Sequence, residues 1–258
     1  MARSRGLTAA VQVRPEALIG GKLEPVEVAI LDSGIDASHP ALRGRIVAAF
    51  RVEGGRRKPT VRPARRKNND GYGHGTAVAS IIARIAPNAR LVDIRVLGPD
   101  NQGSGAALIE GLRFAVERGS RIINMSLAAT GEFAAALHAL CETAYYRNQV
   151  LVAAKRNMPL VDNGFPAEFS SCIGVDNRAF PSPFVFRFIP GQTIEYAAHG
   201  TAVVVAAPGG RYTTSTGTSF ATPTITGICA RMLGAYPDMR PFEVKSLLKL
   251  FARRSHGD

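Results

Sequence analysis

The chain has 258 residues, 46% of them hydrophobic and 20% charged, with 26 glycines and 16 prolines. That composition excludes disordered, collagen-like and low-complexity chains and leaves one large globular domain or two small ones. A net charge of +12, from 32 basic against 20 acidic side chains, fits a generally basic surface or an acidic partner.

In chain order, Met1-Ala2-Arg3-Ser4-Arg5 is basic, but the stretch after it is weakly apolar and broken by Arg14. That makes a poor secretory signal and leads us to expect a cytoplasmic protein. Residues 26–31 form the first strand-length apolar run. A basic insert at about 54–69 follows, with Arg56, Arg57, Lys58, Arg62, Arg65, Arg66 and Lys67 and no acid among residues 56–67. Pro59 and Pro63 argue for a loop there, and no aromatic side chains interleave to stack on bases, so nucleic acid is not the expected partner. Residues 74–85 place Val78, Ile81, Ile82 and Ile85 on one helical stripe. Strands are then expected at 91–96, 122–125 and 150–153, with helices at 106–118 and 133–146. A β-rich region covers 184–188, 193–196 and 202–205, and helices close the chain at 218–233 and 241–253.

Near-continuous apolar strands separated by helices indicate a parallel sheet covered on both faces. With no linker and no internal repeat, the expectation is a single α/β domain over 1–258, a three-layer sandwich with a central, mostly parallel sheet. The densest apolar run, at 202–207, is strand-sized, far short of the roughly 18 residues of a membrane span. Cys141, Cys172 and Cys229 are too few and too scattered for a disulfide framework or a metal site.

Three short segments carry chemistry together. Asp32 ends the first strand in Leu31-Asp32-Ser33-Gly34, His74 enters a helix in Gly73-His74-Gly75-Thr76, and Ser219 opens one in Gly217-Thr218-Ser219-Phe220-Ala221-Thr222-Pro223. Each alone fits a turn, a structural imidazole or a cap. In the order Asp…His…Ser on an α/β framework they resemble the subtilisin-like serine peptidases, the subtilase family. Further matches are Ile123-Asn124-Met125-Ser126-Leu127, Val96-Leu97-Gly98, Gly103-Ser104-Gly105, Phe165-Pro166 and Ala207-Pro208-Gly209, so the resemblance runs from about residue 26 to 251.

The resemblance implies a subtilisin-like fold and peptide-bond hydrolysis through an acyl-enzyme. It assigns Ser219 as nucleophile, His74 as general base and then acid, and Asp32 as the carboxylate that orients the imidazole. Asn157 would be the side-chain donor of the oxyanion hole. His199, in a second His-Gly-Thr-Ala-Val, leads into strand-like sequence and is the weaker candidate for the base. Substrate would add as a strand to Ser126-Leu127-Ala128 and Gly103-Ser104-Gly105. The pocket for the side chain before the scissile bond would be lined by Ala128, Ala129, Ala154, Arg156 and Gly164.

The chain departs from the family where glycines are usual and Ala128 and Ala129 stand, and where Lys155-Arg156 precedes Asn157. The alanines should narrow the pocket. Arg156 either reaches it, favouring an acidic or small side chain there, or points to solvent. The passage from Ile85 directly to Ala86-Pro87-Asn88-Ala89 omits the calcium loop of secreted relatives, so no metal and no cofactor are expected. With Asp32 so near the start, no pro-domain is expected and an intracellular processing role fits. The partner would be a peptide or protein substrate, with an acidic segment as the complement of the basic insert; the insert could equally be solvated and disordered, or a self-cleavage site. The rival reading is a pseudo-peptidase that binds peptides or a partner without cutting.

Overall fold

A computed structural model describes residues 21–54, 58–64, 69–158 and 162–254. Of the basic insert, Arg56, Arg57, Arg65, Arg66 and Lys67 lie outside the described residues, as does the N-terminal stretch containing Arg14.

Among the described residues there are eleven strands and five α-helices. The strands are β1 (Val26–Asp32), β2 (Ile46–Glu53), β3 (Thr60–Pro63), β4 (Ala89–Arg95), β5 (Ile122–Met125), β6 (Val150–Ala154), β7 (Cys172–Arg178), β8 (Arg187–Phe188), β9 (Tyr196–His199), β10 (Val203–Ala207) and β11 (Arg211–Ser215). The helices are α1 (His74–Ile85), α2 (Gly105–Arg118), α3 (Ala134–Tyr146), α4 (Thr218–Ala235) and α5 (Pro241–Arg254). Nine strands form one sheet in the order β3-β2-β4-β1-β5-β6-β7-β9-β8. It is parallel from β2 to β9 and antiparallel only at its margins, β3 on β2 and β8 on β9. β10 and β11 form a separate antiparallel hairpin.

The alternation of side chains along each strand sorts the core into two layers. On β1, Val28 and Ile30 face one layer with Val78, Ile81 and Ile82 of α1, Ile225 and Leu233 of α4, and Leu248 of α5. Ala29 and Leu31 face the other, with Leu108 and Leu112 of α2 and Leu137 and Cys141 of α3. The expected three-layer α/β sandwich is therefore the observed architecture. Among the described residues no helix is long and apolar enough to cross a membrane.

The structure adds strands that the sequence reading left out. Thr60–Pro63, inside the stretch read as a loop, is strand β3. Its one proline, Pro63, is tolerated because it is an edge strand, where a missing ladder N–H faces outward. β7 and β11 also went unassigned: β7 passes from apolar to polar midway, and β11 (Arg-Tyr-Thr-Thr-Ser) has almost no buried face. The helix expected at 133–146 starts one residue later, after a 3₁₀ turn at Gly131–Phe133.

The two helices that carry His74 and Ser219, α1 and α4, pack against each other at Gly227. A Cβ there would lie 2.7 Å from both Cβ and Cγ2 of Ile85. Replacing Gly227 by Ala forces these helices apart and is expected to cost about 1–3 kcal/mol, as overpacked cores do. Differential scanning calorimetry should show this as a fall in Tm of several degrees for a chain of this size.

Candidate active site

The site lies at the carboxyl ends of the central parallel strands. From β1 the chain passes to β2 and β3 at one margin, returns through α1 to β4 beside β1, and then crosses to β5 on the other side, so the loops beyond β4 and β5 diverge and open a crevice over β1. Asp32 is the last residue of β1, at the base of that crevice, and only 1% exposed. Its Oδ1 accepts from the Ser33 N–H (2.7 Å) and from His74 Nδ1 (2.7 Å). A carboxylate can only accept, so Nδ1 carries the proton and Nε2 is left as the basic nitrogen.

His74 is the first residue of α1, and a network of buried polar groups ties that helix start to the end of β1. Asp70 accepts through Oδ1 from the Gly73 N–H (2.7 Å) and the Ser33 hydroxyl (2.9 Å). Its Oδ2 accepts from the Thr76 N–H (2.8 Å) and the Thr76 hydroxyl (2.6 Å). Ser33 Oγ in turn accepts from the Gly75 N–H (3.0 Å). Gly75 packs directly on the Gly34 carbonyl, leaving no room for a side chain. Gly73 has φ 97° and faces Pro208, whose Cδ would sit 2.7 Å from a Cβ. Burial, the largest single influence, pushes the His74 imidazole down; the Asp32 charge, the Asp32 hydrogen bond and the Asp70 charge together outweigh it and hold its pKa above the ordinary histidine value.

Ser219 is the second residue of α4. Its hydroxyl donates to the Ser126 carbonyl (3.0 Å) just beyond β5, and not to His74. The Phe220 ring lies against the His74 ring, centroids 5.6 Å apart. Asn157 follows β6 and lines the crevice, and its Oδ1 accepts from the Thr218 N–H at 3.0 Å. That N–H donor fixes the amide orientation and leaves Nδ2 as the free donor, with no partner among the described residues. Gly217 bears φ 153°, and a Cβ there would lie 3.3 Å from Asn157 Oδ1.

Two cavities meet at His74 and Ser219. The larger, about 620 Å³, is lined by Gly103, Ser104, Gly105, Ser126, Leu127, Ala128 and Ala129 among others. The smaller, about 380 Å³, takes in Asn157, Gly217 and Phe220. The structure thus brings together Asp32, His74, Ser219, Asn157 and both expected substrate strips. Ala154, Arg156 and Gly164 line neither cavity. Ala154 is buried in β6. Gly164 has φ 92°, and a Cβ on it would stand 2.6 Å from the Ala128 methyl. Arg156 donates to the Ala129 carbonyl (3.1 Å) and pairs with Asp162 (3.0 Å). Lys155 turns away to Asp176 (2.8 Å), while its carbonyl accepts from the Thr218 hydroxyl. Ala129 exchanges backbone hydrogen bonds with Phe165, so only 126–128 keep a free edge toward the crevice. His199 ends β9, outside both cavities; burial first and the Arg84 charge second lower its pKa.

Sequence reasoning passed over Asp70, Ser33 and Thr76, and also Asn124, whose Oδ1 accepts from Thr226 of α4 (2.7 Å) while Nδ2 donates to Ser126 Oγ (3.1 Å). Ser33, Thr76 and Asn124 stand within motifs quoted above and Asp70 three residues before one, and their signal was a small polar residue where an apolar one would pack. The turn expected to lack a calcium loop is occupied by Asn88, whose Nδ2 donates to the Glu24 and Ala230 carbonyls. Among the described residues no three His, Cys, Asp or Glu side chains group as a metal site requires.

The chain belongs to the subtilase family, whose profile matches residues 24–257. Fold and family together make it a subtilisin-like serine endopeptidase in class. It is 33% identical over 248 residues to subtilisin DY of Bacillus licheniformis, covering 89% of this chain and 84% of that one. It is 32% identical to alkaline elastase YaB of Bacillus sp. (strain YaB), covering 87% of this chain and 58% of that longer one. Among solved structures, sphericase superposes with a TM-score of 0.74 at 23% identity, over 88% of this chain and 83% of that one.

A histidine whose folded pKa is raised stabilises the fold fully below its unfolded value of about 6.5, and that stability is lost as the pH rises through the folded value. We expect His74 to titrate above the ordinary range by NMR and to drop in Asp32→Asn. The stability gap between the two proteins should shrink as the pH rises through the wild-type value.

Proposed function

We propose that Ser219, His74 and Asp32 act as a catalytic triad that hydrolyses peptide bonds through an acyl-enzyme. The observation that carries this is the short hydrogen bond from His74 to buried Asp32, which leaves Nε2 basic where the two cavities meet at Ser219. Ser219 Oγ forms a bond to the scissile carbonyl carbon and its proton passes to Nε2. The carbon–nitrogen bond then breaks as Nε2 returns the proton to the leaving amine, and water repeats the cycle to release the acid. Negative charge on the carbonyl oxygen is met by the Ser219 N–H at the α4 N-terminus and by Asn157 Nδ2. The hydroxyl must first leave the Ser126 carbonyl for the imidazole. His74 works as a base only when unprotonated, so kcat/KM should rise with pH through its raised pKa.

Substrate adds as a strand along 126–128, opposite 103–105. The side chain before the cut faces the Ala128–Gly164 contact, which favours small residues. An acidic residue finds no free cation there, because Arg156 is held by Asp162. We place the enzyme in the cytoplasm, as a processing peptidase; its three unpaired, buried cysteines accord with a reducing compartment.

The second reading, a peptide-binding chain that does not cut, is favoured by the Ser219 hydroxyl donating to Ser126 rather than to His74. Fluorophosphonate labelling read by intact mass separates the two. One adduct on the wild type and none on Ser219→Ala supports the peptidase; a folded wild-type protein that takes no adduct supports the binder. Asn157→Ala should then lower kcat by about 10²–10³ with little change in KM, the loss known for an oxyanion donor in subtilisin itself.

A further inference from the structure

The larger cavity continues well past Ser219 to the turn at Gly131–Phe133. Its far walls are apolar, formed by Val96, Leu97, Leu108 and Phe133. The Phe133 ring rests directly on Gly105, in the space a side chain there would fill. At this end stands Glu132, the one carboxylate among the lining residues. Its Oε1 accepts from the Thr130 hydroxyl (3.2 Å), and no described cation lies within ion-pair distance of it. Of the other acids around the crevice, Asp32 is matched with His74, Asp162 with Arg156 and Asp176 with Lys155, while Asp100, beside the lining Asn101, accepts from the Gln102 N–H (3.1 Å). The cation beside the cavity wall, Arg95, donates to the Leu97 and Asn69 carbonyls.

We infer that Glu132 selects an arginine or lysine at the fourth residue before the scissile bond. This rests on reading the crevice as the substrate groove. A peptide antiparallel to 126–128 advances about 3.4 Å per residue. With its last residue before the cut level with Ser126, the fourth lies about 10 Å upstream, level with the turn that carries Glu132. Side chains alternate across a strand, so the first and third face the Ala128–Gly164 side while the second and fourth face the larger cavity. The second meets the His74 end and the fourth the Glu132 end. An arginine or lysine stem suits the Leu97, Leu108 and Phe133 walls, and its charged head reaches the carboxylate at the rim. The net charge of +12 opposes a cationic peptide only weakly, because exposed charges beyond about 10 Å are screened at 0.1 M salt.

The test uses three peptides identical except for Arg, Ala or Glu at that position. Their kcat/KM is measured with the wild-type chain, and their Kd with Ser219→Ala by fluorescence anisotropy. Arg should be preferred over Glu by about five- to tenfold in both readouts, the range spanned when a partly exposed ion pair gives way to like charges. The ratio should fall toward one in Glu132→Gln, invert in Glu132→Arg, and shrink with added salt. A ratio equal in the wild type and both variants overturns the inference. A preference in Kd without any cleavage upholds it and overturns the peptidase reading instead.

Discussion

A carboxylate sealed at the end of a central strand is costly unless a charged or hydrogen-bonding partner reaches it, and much of this site is organised around supplying that partner to Asp32. Its Oδ1 takes the Ser33 N–H and the His74 ring, while Oδ2 has no donor among the described residues. The imidazole is thus the principal compensation for a charge held away from water. The dependence runs both ways, since burial alone would push the imidazole toward its neutral form and the carboxylate holds it back.

Meeting that requirement calls for a helix start placed within hydrogen-bond reach of a strand end. Glycine at 75 lets α1 close onto the Gly34 carbonyl, and Asp70 then clasps Gly73, Thr76 and Ser33 at once. The same logic recurs on the other side of the crevice. Thr226 of α4 holds Asn124, Asn124 holds Ser126, and Thr218 holds Asn157. The helix that bears the serine is therefore fixed to β5 and to the loop after β6 by side-chain hydrogen bonds as well as by its packed face. Lys155 and Arg156, the residues that most depart from the family, fit because each finds its own carboxylate and because their backbone is gripped by Val175, Asn163 and Thr218.

Of the parallel strands, β1, β4, β5 and β6 were legible because they are apolar on both faces, while β2 and β7, which mix polar and apolar residues, were not; α1 was legible because its stripe has helical period. Asp32, His74 and Ser219 were legible through the glycines and small residues around them. The margins were not. β3 and β11 are mostly exposed, so their side chains carry no alternating signal, and two prolines disguised β3 as a loop. The groups that hold the site in place were hidden for a different reason. A buried Asp70 reads in sequence like any turn aspartate, and only packing shows that it satisfies four donors. The setting of Arg156 was equally out of reach, since Asp162 is near in sequence but its pairing depends on how the loop folds back.

The sheet ends on one side in β3, four residues long with Pro63, and on the other in β8, two residues long. If substrate adds as a strand along the crevice, as proposed above, the molecule faces a problem of self-recognition, because any open strand of another copy resembles that substrate. Edges this short, one of them carrying a residue with no backbone donor, give a neighbouring copy little ladder to extend. On the proposed reading, pairing with extended backbone is then favoured in the crevice at Ser219 over the described edges of the sheet.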